Sequence, residues 1–195
     1  MQYVLTPLAS SYTSYSYWDN AFTDEQLSYL QQICKENTHK AQVGMGTHGG
    51  VDPGIRRSDV SWLGNTPEHN WVFDILGGVV SNLNAQFYRY DLTGFGEQIQ
   101  LTNYYGDDKG TYGWHVDHGG QGPCRKLSLI LQLSDPSEYE GGHLEIMPNS
   151  NNVERINKRR GLITVFPSWM LHQVTPVTSG FRQTIVLWVT GPSFR

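Results

Sequence analysis

Apolar positions recur with two different periods along the chain. In TDEQLSYLQQICKE, Leu27, Leu30 and Ile33 return at helical spacing behind Thr23. Thr23 followed three residues later by Gln26 is a capping-box arrangement, so a helix is predicted to start there. Residues 68–84 repeat the helical period, with Trp71, Ile75, Val79 and Leu83 at four-residue steps, and predict a second amphipathic helix despite Gly77 and Gly78. From Phe87 onward the period shortens. QIQLTNYY, KLSLILQL, GGHLEIMP, GLITVFP and RQTIVLWVT are short runs rich in β-branched and apolar residues, separated by Gly, Pro, Asn and Asp clusters, and they predict strands. DVSWLG predicts one more strand between the helices. Ahead of it, residues 44–57 (GMGTHGGVDPGIRR) hold five glycines and Pro53 and read as a long loop. Short strands preceded by helices, with no βαβ alternation, predict a mainly β fold: a sandwich or jelly roll buttressed by helices.

Composition narrows the class. The 195 residues are 38% hydrophobic, 12% aromatic and 16% charged, with 21 glycines, which excludes a coiled coil or a disordered chain. The length suits one domain, and no repeat or linker divides it. A net charge of -4 gives no reason to expect nucleic acid or an anionic membrane as partner. No run of 18 apolar residues occurs, and MQYVLTPLASSYTSYSYWDN lacks the basic start and apolar run of a secretory signal. Cys34 and Cys124 stand far apart in unlike contexts, which argues against a disulfide framework and for a reducing cytoplasm.

Of seven histidines, most read as surface or loop residues. His115 differs because WHVDH places Asp117 two residues after it. In an extended strand these two side chains share a face, and His172, in PSWMLHQV, is the candidate third ligand. Two imidazoles and one carboxylate with open positions suit non-haem Fe(II) and its reactions with O2. An HxD alone is a weak signal, and His118 is an alternative ligand, although it projects to the face opposite Asp117. Arg182 adds weight. It begins RQTIVLWV, an otherwise apolar strand, and residues 161–195 contain no Asp or Glu. Its partner is therefore a carboxylate from elsewhere in the chain or from a ligand such as a dicarboxylic acid; otherwise Arg182 sits at the exposed start of the strand. NVERINKRR reads as a solvated turn, and Asp107 and Asp108 as turn residues.

Three segments carry a resemblance in order: QLTNYYGDDKGTYGWHVDH, RKLSLILQLSDPSEYEGGHLEI and GLITVFPSWMLHQVTPVTSGFRQTIVLWV. Residues 87–195 resemble the Fe(II)/2-oxoglutarate-dependent dioxygenases of the prolyl 4-hydroxylase and PKHD-type hydroxylase group. IRRSDVSWLG resembles the strand after the mobile loop of hypoxia-sensing prolyl hydroxylases. The resemblance implies a double-stranded β-helix of eight core strands at 87–195, with the helices and a lid loop of 1–86 packed against one sheet. It implies His115, Asp117 and His172 as iron ligands and Arg182 as the partner of the 2-oxoglutarate 5-carboxylate. Tyr104 matches the family tyrosine that begins the loop before the HxD, with Tyr105 as rival, and Trp188 matches an aromatic beside the metal. Gln132 falls where many relatives carry a tyrosine on the same 5-carboxylate, so Thr184 is a candidate hydroxyl in its place.

The implied reaction couples conversion of 2-oxoglutarate and O2 to succinate and CO2 with hydroxylation of a C–H bond, with ascorbate as an auxiliary reductant. Asp117 argues against a halogenase. The implied substrate is a prolyl residue of a peptide or protein. The alternatives are a free amino acid or small metabolite, or a non-catalytic, cupin-like binding module. By the same resemblance, residues 44–57 are expected to act as a substrate lid, with Arg56 or Arg57 and Trp62 contributing contacts.

Overall fold

A computed structural model describes residues 13–44, 49–119 and 124–193. Its strands are β1 (Ser16–Trp18), β2 (His39–Lys40), β3 (Arg56–Arg57), β4 (Asp59–Leu63), β5 (Gly94–Phe95), β6 (Ile99–Tyr105), β7 (Thr111–His115), β8 (Arg125–Gln132), β9 (Tyr139–Gly141), β10 (Leu144–Asn149), β11 (Asn152–Arg155), β12 (Ile163–Pro167), β13 (Leu171–Val174) and β14 (Val177–Thr190). Two helices, α1 (Asp24–Ile33) and α2 (Asn70–Leu83), precede most of them, and a π-helical turn, Asn84–Tyr88, extends α2. The larger sheet runs β1-β12-β8-β14-β6-β4-β2, with β5 and β9 also on β14; the smaller runs β11-β10-β13-β7-β3. All pairings are antiparallel, as a jelly roll requires.

The two-residue alternation of the long strands builds two different faces. On one, Leu101, Leu127, Leu129, Leu131, Ile163, Val165, Ile185 and Leu187 pack against Leu27 and Leu30 of α1 and Val72, Leu76, Val79 and Leu83 of α2. On the other, Ile130 and Phe166 meet Leu144 and Ile146 of the smaller sheet. The helices thus cover the outside of the large sheet, and the space between the sheets is left for the polar positions of the same strands. α1 starts as expected: Thr23 Oγ1 accepts from the Gln26 amide and Gln26 Oε1 accepts from the Thr23 amide. The buried face of α2 is broader than the predicted stripe and includes Phe73 and Val80.

Three expectations need correcting. Of the segment 44–57, residues 45–48 lie outside the described ones, and Arg56–Arg57 are not loop but strand β3, paired with β7. Gly113 donates to the Ile55 carbonyl just beyond, so this strand closes the edge of the smaller sheet. NVERINKRR is not a solvated turn: it supplies β11, Arg155 pairs with Glu145 at 2.8 Å, and Arg160 reaches Asp24 at 3.2 Å and the Leu133 carbonyl at 3.0 Å. The last strand begins at Val177, five residues ahead of Arg182, so that arginine stands mid-strand and is 1% exposed. Among the described residues, no helix is long and apolar enough to cross a membrane.

Candidate active site

β7 and β13 are neighbours with His115 opposite His172, so the smaller sheet itself brings the two imidazoles together. Asp117 lies past the end of β7, in a bend rather than in the strand. Its backbone N–H and that of His118 both donate to the Ser168 carbonyl, which fixes the bend. The donor atoms of His115, Asp117 and His172 all lie within 4.8 Å of one another. Asp117 Oδ1 is 3.7 Å from His115 Nε2, and Oδ2 is 3.5 Å from His172 Nε2.

Each histidine turns the right nitrogen inward. His115 Nδ1 lies 2.8 Å from the Gly113 carbonyl and His172 Nδ1 2.9 Å from that of Met170. A carbonyl only accepts, so Nδ1 carries the hydrogen and Nε2 is the nitrogen facing Asp117. Burial, with His172 adding to it, pushes the His115 pKa down to about 4 although Asp117 opposes the shift. Burial would raise the Asp117 carboxyl, but His172, His115 and the hydrogen bond from Ser128 hold it below its ordinary value. A carboxylate and outward-anchored imidazoles grouped on one side fit a divalent iron that keeps open positions.

Between the sheets, Arg182, Thr184, Val186 and Trp188 share one face of β14. Register places Arg182 opposite Tyr104, Thr184 opposite Thr102 and Gln132, and Trp188 opposite Ser128. The guanidinium carbon of Arg182 lies 5.2 Å from the Tyr104 ring centroid, whereas Tyr105 turns away to stack on Phe181. The pairing with Arg182 therefore falls to Tyr104. Arg182 Nη2 makes a long contact of 3.4 Å to Gln132 Oε1, while Nε and Nη1, fully buried, have no acceptor among the described residues. Among the described residues, no carboxylate lies within ion-pairing distance of Arg182. A buried guanidinium with two idle donors fits the distal carboxylate of a dicarboxylic ligand. Trp188 is buried under the Arg125 guanidinium at 3.8 Å, and Arg125 is held by both oxygens of Glu97.

The three candidate substrate contacts separate. Arg56, 8% exposed, donates to Ser58 and covers the Tyr112 ring at 4.6 Å; that ring stacks on His115 with centroids 3.5 Å apart. Trp62 lies 6.4 Å from Trp188 and is half-exposed. Arg57, the next residue along β3, points to the opposite side and donates to the Lys109 carbonyl at 3.3 Å. His118 Nδ1 meets the Arg125 carbonyl and stays out of the His–Asp–His group. Sequence reasoning missed Ser128, Tyr112 and Tyr139. Ser128 was readable, because Ser128, Ile130 and Gln132 are the alternate, inward positions of KLSLILQL.

The sequence profile described as the 2OG-Fe(II) oxygenase superfamily matches residues 99–190, which run from β6 to the end of β14. A PKHD-type hydroxylase of Klebsiella pneumoniae is 30% identical over 173 residues, covering 86% of this chain and 74% of that protein. One from Hyphomonas neptunium is 42% identical over 83 residues, 40% of this chain and just over a third (37%) of that protein. Two solved structures share the fold at low identity. A prolyl hydroxylase from Trichoplax adhaerens, in complex with a hypoxia-inducible-factor peptide, superposes with a TM-score of 0.76 at 19% identity over 91% of this chain and 84% of that one. A prolyl-4-hydroxylase from Pseudomonas putida does so with 0.73 at 18% identity over 91% and 92%. By alignment along three quarters of a PKHD-type hydroxylase, the chain belongs to the 2OG-Fe(II) oxygenase superfamily, as a 2-oxoglutarate-dependent dioxygenase that uses Fe(II) and O2.

Proposed function

We propose that the chain hydroxylates a prolyl residue of a peptide or protein. When bound, iron and 2-oxoglutarate supply the oxidising chemistry, with O2 consumed, succinate and CO2 released, and ascorbate serving as auxiliary reductant. In this reading His115, Asp117 and His172 hold the iron through Nε2, a carboxylate oxygen and Nε2. Arg182 grips the 5-carboxylate, with Tyr104, Gln132, Thr184 and Trp188 lining the pocket between it and the metal. Arg56 and Trp62 border the entrance, next to the described part (49–57) of the segment 44–57 that this reading takes as a substrate lid. Residues 1–86 and 87–195 act as one catalytic unit, since described apolar side chains of both, such as Leu30 and Leu76 with Leu129 and Leu187, share a core.

The observation that carries the reading is Arg182: two buried donors without acceptors, on the sheet face that also supports Asp117 through Ser128. The peptide preference is supported by half-exposed Trp62, Trp114, Val116 and Trp169, of which Trp114 and Val116 flank His115. A second reading, hydroxylation of a free amino acid or small metabolite, is favoured by Arg56. It is nearly buried, and among the described residues no carboxylate pairs with it, so a small substrate's carboxylate would satisfy it. Both cysteines are free, in keeping with the cytoplasm, and burial pushes the Cys34 thiol up to about 12.

The test is a library of prolyl peptides and free amino acids incubated with Fe(II), 2-oxoglutarate and ascorbate, read for succinate and for a product heavier by one oxygen. Oxygenated peptides with untouched amino acids support the first reading, and the reverse supports the second. Metal binding without succinate in any mixture leaves a binding module.

A further inference from the structure

Arg182 is not the only group in its pocket with an idle donor. The Tyr139 hydroxyl is also buried and, among the described residues, accepts or donates no hydrogen bond within bonding distance. The two side chains converge at Gly142: a Cβ there would lie 2.9 Å from Arg182 Cδ and 3.2 Å from Tyr139 Cε2. Burial pushes the Tyr139 hydroxyl's pKa up, while the nearby Arg182 charge draws it back.

The fold explains how Tyr139 arrives there. β9 pairs with the first residues of β14, Tyr139 opposite Gly180 and Gly141 opposite Val177. The approach is so close that a Cβ at Gly180 would sit 2.0 Å from the Glu138 carbonyl oxygen, and φ at Gly180 is +75°. Folded back in this way, the Tyr139 ring packs with Tyr104, Val174 and Val177. Lys158 closes the far side, its Nζ 4.0 Å from the ring centroid and donating to the Gly141 carbonyl. Gln132, by contrast, presents its amide carbonyl oxygen to Arg182, and a carbonyl oxygen accepts but cannot donate to a carboxylate.

We infer that the Tyr139 hydroxyl is the second donor to the 5-carboxylate that Arg182 grips, in place of Thr184 or Gln132. This rests on the 2-oxoglutarate reading above. One carboxylate offers enough lone pairs to accept from one edge of the Arg182 guanidinium and from the Tyr139 hydroxyl together.

The experiment titrates protein loaded with Mn(II), by calorimetry, with 2-oxoglutarate and with 2-oxopentanoate, which has a methyl group where the 5-carboxylate would be. Tyr139→Phe keeps the ring and its packing. It is expected to weaken 2-oxoglutarate by about tenfold to a hundredfold while leaving 2-oxopentanoate unchanged. Unchanged 2-oxoglutarate binding in Tyr139→Phe overturns the inference, and a loss in Thr184→Val instead gives the contact to Thr184. Equal weakening of both oxoacids also overturns it, since the hydroxyl would then be shaping the pocket. Wild-type protein that binds 2-oxoglutarate no better than 2-oxopentanoate would sink the functional reading itself, a result distinct from failure of Tyr139 alone.

Discussion

The Ser128 hydroxyl donates to Asp117 Oδ2 at 2.7 Å, joining β8 to a carboxylate that lies beyond the end of β7. Ser128 also lies 3.0 Å from the Ser168 hydroxyl, and the Ser168 carbonyl accepts the Asp117 N–H. Asp117 is thus aimed by groups far away in sequence. Ser128→Ala frees the carboxylate to rotate, and Mn(II) affinity is expected to fall by about 10- to 100-fold. Electron paramagnetic resonance of free Mn(II) measures this directly. An unaltered dissociation constant would mean that the bend alone aims Asp117.

His115 sets a pH dependence. Its pKa in the folded protein is depressed to about 4, against roughly 6.5 in an unfolded chain. Between those values the unfolded chain binds the extra proton, so stability rises with pH through the window. The metal-free protein is expected to be fully stabilised by this group above pH ~6.5 and to lose that share as pH falls toward ~4. Urea unfolding across the window checks it, with His115→Gln as comparison. The variant's profile should be the flatter of the two, and parallel profiles would contradict the assigned burial.

The long elements were legible because their signals are local. The capping box at Thr23, the four-residue steps of α2 and the alternation in KLSLILQL each report one element's own burial. β7, β11 and β13 were not legible. Thr111–His115, TYGWH, has little apolar alternation because its inward residues, Tyr112 and His115, serve the site rather than the core. Arg56–Arg57 were hidden for another reason: two residues just past Gly54 and Ile55 become a strand through pairing with β7. The His115–Asp117 spacing pointed to two side chains that do come together, but by an incomplete argument, since Asp117 reaches the histidines through a bend and not along a strand. Tyr139 was beyond reach, because only the folding of β9 onto β14 brings it to Arg182.

Arg182 makes opposite demands on the free and bound protein. Without an anion it is a buried charge whose Nε and Nη1 are unsatisfied. Arg182→Met should therefore stabilise the ligand-free protein, by about 1 kcal/mol or more, because a desolvated cation is exchanged for an apolar chain of similar length. The same change removes a charge-assisted contact, and 2-oxoglutarate affinity is expected to drop roughly 30-fold to several-thousand-fold. Denaturant titration with and without 2-oxoglutarate reads both effects. A ligand-free variant less stable than wild type would point to a counter-charge inside the protein.

Gly142 and Gly78 separate the needs of the site from those of the fold. Gly142 has φ +57°, and a Cβ there would meet Val177 Cγ2 at 2.8 Å and Arg182 Cδ at 2.9 Å. Neither neighbour can retreat, since Val177 and Arg182 are both buried in the strand that anchors β9. Gly142→Ala is expected to cost about 1–3 kcal/mol through left-handed backbone and overpacking. Because the added methyl pushes on Arg182 itself, 2-oxoglutarate affinity should fall as well. Gly78 lies inside α2, with nothing within 4 Å of where its Cβ would point. There an alanine only removes backbone freedom from the unfolded chain, so Gly78→Ala should stabilise by about 0.5–1 kcal/mol and leave cosubstrate binding alone. Thermal melts and Mn(II)-supported calorimetry on the two variants should move in opposite directions for stability, and only Gly142→Ala should move the affinity. If Gly142→Ala melts lower yet binds 2-oxoglutarate as wild type does, Arg182 has room to shift, and the pocket is less tightly set against Gly142 than its distances indicate.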